Sequence, residues 1–127
     1  MKLKDCINVY AAFNRISKNT LPLKSSWMLA QNISKLKPLV DLFEEQRAGY
    51  IEVLRKKADL DDNNQPIVSD EAAAEFTKQV EGLLEEDQKI RLKKVTLYDD
   101  GSLSIEPEVL LAAMDYLIVK DNADQTS

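Results

Sequence analysis

SSWMLAQNISKLKPLVDLFEEQRAGYIEVLRKK, residues 25–57, is the stretch on which the reading of the fold turns. Its apolar positions Leu29, Ile33, Leu36, Val40, Phe43, Tyr50 and Leu54 advance in alternating steps of four and three, and only Arg47 interrupts them. A spacing averaging 3.5 residues predicts a long helix with one narrow seam that requires a partner. At roughly 1.5 Å per residue such a helix is about 50 Å long and serves as the spine for everything else. Pro38 falls on the face opposite Leu36 and Val40. A continuous helix kinked there is favoured over a break at Leu36-Lys37 with Pro38 opening a new helix.

Upstream, residues 5–18 form a short helix with Ile7, Tyr10, Phe13 and Ile16 near one face, and Asn19-Thr20-Leu21-Pro22 ends it. Ser25 or Ser26 is the expected cap of the spine. Downstream, residues 59–68 are polar turn chemistry. Ser69 caps a further helix whose Ala73, Phe76, Val80 and Leu83 repeat the spine's spacing. Two helices of matching period joined by a connector predict an antiparallel helical hairpin. From Ile90 the period shortens to two. Asp99-Asp100-Gly101 then predicts a β-hairpin in a register that sets Val95 opposite Ile105 and Leu97 opposite Leu103. Pro107 opens a closing helix, apolar nearly all round through Ile118 and therefore expected to be the most buried element. The fold class is thus mainly α (α+β), with a single domain over residues 1–120 and a frayed tail over residues 121–127.

The chain has 127 residues, 44% of them hydrophobic and 31% charged, the balance of a globular protein able to bury its own core. No apolar run approaches the roughly 18 to 20 residues that span a bilayer, and Met1 to Asp5 lacks the apolar centre of a signal peptide. With Cys6 as its single cysteine, the chain is expected in the cytoplasm. The net charge of −5 divides unevenly. Residues 1–57 hold eleven Lys/Arg against five Asp/Glu, and residues 58–127 hold six against seventeen. An acidic second half folding onto a basic spine satisfies this, as does a face that steers a charged partner.

Chemistry is sparse. The sequence has no histidine, which excludes histidine-based triads and histidine ligands, and its three glycines are too scattered for a phosphate cradle. No catalytic residue, no cofactor and no enzyme activity are expected. Asp59, Asp61, Asn63 and Asp70 fall at calcium-loop offsets 1, 3, 5 and 12. Asn64 where glycine belongs, Pro66 where an aliphatic belongs and Asp70 where glutamate belongs weigh against a metal. A buried Arg47 needs a carboxylate across the seam, Glu75 or Glu81, or else the seam leaves the core there and meets another protein. Candidate partner-binding residues are Arg47, Glu85, Glu86, Asp87, Lys93 and Lys94.

Several local patterns together bear a likeness. They are Leu21-Pro22-Leu23-Lys24 ahead of the long helix, an acidic turn ending in Gln65-Pro66-Ile67-Val68, Phe76-x-Lys78-x-x-x-x-Leu83-Leu84, and a closing Pro107-Glu-Val-Leu-Leu. Their order resembles a family of small uncharacterised helical proteins encoded by tailed phages and prophages. The resemblance implies a phage origin and a small helical architecture, and it carries no site residues. The function expected is a non-catalytic protein-interaction module, such as a virion-assembly or tail-associated accessory factor able to self-associate as a homo-oligomer. The alternative is an inhibitor of a host defence or nucleic-acid-processing complex that works through the acidic half. Weak nucleic-acid binding ranks third, because Lys89, Arg91, Lys93 and Lys94 alternate with aliphatics and not with stacking aromatics. No membrane partner is expected.

Overall fold

The computed structural model describes residues 1–121. These residues are mainly helical, with four α-helices and two small two-stranded sheets among them, an α+β arrangement. Helix α1 spans Leu3–Ile16 and α2 spans Leu23–Lys57. Strands β1 (Asp59–Leu60) and β2 (Pro66–Ile67) form a short antiparallel ribbon ahead of α3 (Asp70–Leu84). Strand β3 (Val95–Asp99) is followed by α4 (Pro107–Ala113), a 3-10 turn (Met114–Tyr116) and β4 (Leu117–Asp121). Among the described residues no helix is long and apolar enough to cross a membrane.

The core is built around α1. Leu3, Cys6, Val9, Ala12, Phe13 and Ile16 are all buried along it, meeting Leu29, Leu36 and Phe43 of α2, Val95 and Leu97 of β3, and Val109 and Ala113 of α4. Burying a large apolar side chain stabilises by roughly 1.5 to 3 kcal/mol, so this helix dominates the core energetically. The expectation that the closing helix would be the most buried is corrected. Of α4 only Val109 and Ala113 are buried, while Leu111, and Met114 in the turn that follows, stand exposed.

Helix α2 is continuous through Pro38, which lies on its exposed side. It begins two residues before Ser25, and neither Ser25 nor Ser26 caps it. The Ser25 hydroxyl is buried and donates to the Thr96 carbonyl at 2.5 Å. The buried stripe of α2 is Ser25, Leu29, Asn32, Leu36 and Phe43, stepping by four, three, four and seven. That stripe faces α1 and β3. Helix α3, whose matching period made it the expected partner of the whole seam, buries no residue, and it shares a groove with Gln46, Arg47 and Tyr50 of α2.

The β-hairpin over residues 95–105 does not form. Strand β3 pairs in parallel with β4 instead, with Val95 opposite Leu117 and Leu97 opposite Val119. Turn chemistry at residues 99–102 is as the sequence reads: Gly101 has φ +86°, and the Asp100 carboxylate accepts the Ser102 N–H at 2.9 Å. After that turn the chain does not return as a strand. Leu103 and Ile105 pack against the core, and Asn19 clasps Ser104, its Oδ1 accepting the Ser104 N–H at 2.8 Å. Parallel strands need a long crossover, which residues 100–116 with α4 supply, and the β-branched pair Ile118-Val119 favours strand over helix. The closing helix therefore ends at Ala113, and Asp121, assigned above to the frayed tail, lies within β4. The remainder of that tail, residues 122–127, lies outside the described residues.

Candidate functional site

Two asparagines and a serine on the α1–α2 framework hold irregular backbone in place. Asn32 is fully buried, its Nδ2 donating to the Lys93 carbonyl at 2.7 Å and its Oδ1 accepting the Lys93 N–H at 2.8 Å. One side-chain amide thus satisfies both backbone groups of an extended residue, as a neighbouring strand would. Lys35 extends the same row by donating from Nζ to the Arg91 carbonyl at 2.9 Å. Asn32 could have been found in the sequence, because it stands three residues after Leu29 and four before Leu36, on the apolar stripe itself. These contacts fix residues 91–96 along α2 and make this end of the molecule a closed structure.

The other end is open. No residue from 44 to 57 is buried, and the same holds for the ribbon and for α3. Contact between the two helices is carried by Tyr50 and Phe76, stacked with centroids 5.5 Å apart and planes 26° from parallel. Beside that stack lies a groove lined by Gln46, Arg47 and Tyr50 from α2 and by Phe76, Gln79, Val80, Gly82, Leu83 and Glu86 from α3 and its end. Leu83 on its rim is 36% exposed. Gln46 also belongs to a stripe of α2 at helical spacing, Leu42, Gln46, Gly49 and Val53, in which Leu42 is 54% and Val53 47% exposed. The second half of α2 together with α3, the outer arm, accordingly carries a partly apolar groove and a partly apolar stripe that share Gln46.

Arg47 is exposed, which corrects its assignment to a buried seam. Among the described residues neither Glu75 nor Glu81 nor any other carboxylate lies within 4.0 Å of its guanidinium. Glu75 instead accepts from Gln79 at 3.1 Å. The seam leaves the core after Phe43, so the position asks for no buried partner. Glu86 is exposed on the same groove, also without an ion pair among the described residues, while its backbone carbonyl accepts the Leu3 N–H at 2.8 Å.

The other sequence candidates lie elsewhere. Glu85 accepts from Lys2 at 2.6 Å and Lys4 at 2.8 Å, and those hydrogen bonds, Lys2's first, hold its carboxyl down at about 2. Asp87 lies 3.5 Å from the N-terminal ammonium, and its backbone bridges to Lys2. Both belong to the junction between α1 and the end of α3. Arg15 pairs with Glu106. These pairs join basic first-half residues to acidic second-half residues, so part of the charge division is met within the chain, through exposed contacts that each contribute little. Lys93 and Lys94 are exposed on the extended segment beside α2 and are not on the groove.

Asp59, Asp61, Asn63 and Asp70 are dispersed by the ribbon. Asp61 Oδ1 accepts the N–H groups of Asn63 at 2.8 Å and Gln65 at 2.9 Å, closing the turn, and Asn64 takes φ +60° where a calcium loop uses glycine. Asp70 stands in the first turn of α3, behind a cap in which Ser69 Oγ accepts the Ala72 N–H at 3.1 Å. No group of three or more His, Cys, Asp or Glu able to hold a metal occurs among the described residues. A second concavity lies between α1 and α4, lined by Asp5, Asn8, Arg15, Glu108 and Tyr116 among others. Against this geometry, no family model, no curated protein and no solved structure matches the chain.

Proposed function

We propose that the chain is a non-catalytic protein-interaction module that docks through the outer arm, in the manner of a phage-type accessory factor. The reading takes the second half of α2 and α3 as an antiparallel hairpin directed away from the core beyond Pro38. One observation carries it: the outer arm presents Leu42 and Val53 to solvent on one stripe of α2 and Leu83 on the groove that shares Gln46 with that stripe, where Arg47 and Glu86 are unpaired among the described residues. Clustered exposed apolar groups with polar neighbours are the composition of a docking patch. A second reading, inhibition of a complex with a basic groove, draws on the ten Asp/Glu that residues 58–87 carry against the single Lys78. Nucleic acid ranks below both, since that acidic run repels a phosphate backbone.

The test is crosslinking in cells that express the chain, read at Lys56, Lys57 and Lys78. Crosslinks from these lysines to another polypeptide chain are expected, and Leu42→Glu with Val53→Glu removes them without changing the melting of the core. Crosslinks confined within one chain would overturn the reading.

A further inference from the structure

The groove face of the outer arm has an internal logic beyond being exposed. Arg47 and Glu86 carry opposite charge, line the same groove and have no ion-pair partner among the described residues. They differ in position along the arm. Arg47 lies one turn before the Tyr50–Phe76 stack on α2, whereas Glu86 lies ten residues beyond Phe76, just past the end of α3. A two-fold axis through the face midway between them exchanges the two positions, setting each Arg47 against the Glu86 of the other copy and Leu83 near the centre. The groove lining thus has one cation and one carboxylate and no net charge, although the chain as a whole carries −5. A partner selected for strong charge of either sign would find little on this face to select it. A second copy finds complementary charge and apolar rim at once, the self-complementarity an isologous interface requires.

The glycines give an independent observation. Gly49 and Gly82 both lie inside helices, where glycine costs about 1 kcal/mol relative to alanine. Neither is required by packing within the chain, since a Cβ at either position would meet nothing within 4 Å. Gly49 sits between Leu42 and Val53 on the exposed stripe, and Gly82 lines the groove. Bare backbone at Gly82 admits close approach on the groove by a helix from outside the chain, while Gly49, two residues from Arg47, lies on a different face of α2. We infer that the groove face of the outer arm binds the same face of a second copy, with Arg47 of each copy paired to Glu86 of the other and α3 of each copy approaching the other at Gly82. This rests on the docking reading above and names its partner.

The experiment is sedimentation velocity on the full chain across a concentration series, with charge-swapped variants. The wild type is expected to pass from 14.4 kDa to twice that mass as concentration rises. Arg47→Glu and Glu86→Arg should each weaken dimerisation at least tenfold, and the two together should restore it to within a few-fold of wild type. All three positions changed are solvent-exposed, so circular dichroism should confirm the same fold throughout; Gly82→Leu supplies a sterically blocked comparison and should remain monomeric. A wild type that stays monomeric at every concentration, or a dimer indifferent to the single charge changes, overturns the inference. Crosslinks from Lys56, Lys57 or Lys78 to a foreign chain in the face of a monomeric protein would leave the docking reading standing and remove only the second copy. Loss of both would remove both.

Discussion

Asn32 shows how much one side chain decides. Replacing it by leucine keeps the volume but strands the Lys93 N–H and carbonyl, whose only side-chain partner among the described residues is that amide. Unsatisfied groups of this kind cost about 1 to 3 kcal/mol each, so Asn32→Leu is expected to lower the melting temperature by roughly 10 °C. A calorimetric change of a degree or two would show that Asn32 matters only as filler. Glu85 gives a pH dependence. Its folded carboxyl titrates near 2 against an ordinary value of 4.5, so the stability it contributes is present above pH 4.5 and is lost as pH falls toward 2. Glu85→Gln should remove that increment above pH 4.5 and leave stability near pH 2 little altered, flattening the acid limb between them, as urea titrations at stepped pH would reveal. Cys6 is fully buried and its thiol is pushed up by that burial. It should react with thiol reagents only at the rate of unfolding, measurable by adding denaturant.

At the scale of elements, the sequence was most legible where one signal decided and least where two competed. The long α2, the Ser69 cap and the Pro107 start follow from spacing and capping chemistry that nothing in the tertiary structure opposes. The hairpin failed because turn residues specify a turn and not the strand that follows it. Leu103 and Ile105 gain more by packing on the core while Asn19 holds Ser104. The end of the closing helix was misplaced because Leu117 and Ile118 fit a helical face and a strand equally well, and pairing to β3 breaks the tie. Cross-strand amide contacts in solution should therefore link Thr96 with Ile118, with none linking Leu97 to Leu103. The candidate site was partly legible. Arg47 and Glu86 stand out as charged residues near a seam, but their meeting on one groove depends on how α3 lies against α2, which period alone does not determine.

For the whole molecule, the consequence is an uneven distribution of stability. The α1-centred core holds every fully buried side chain, while α3, a helix of 15 residues with no buried residue, lies at the length where isolated helices are marginal. Its Ser69 cap contributes about 1 kcal/mol, and a single aromatic stack adds a similar amount. Such an element opens locally far more often than the core. The measurement that tests this account most directly is native-state hydrogen exchange on the full chain at low and high protein concentration. In dilute protein the amides of residues 70–84 should exchange orders of magnitude faster than those of α1, and their protection should rise as concentration rises while that of α1 stays constant. Amides of α3 as protected as those of α1 in dilute protein, with no dependence on concentration, would contradict it.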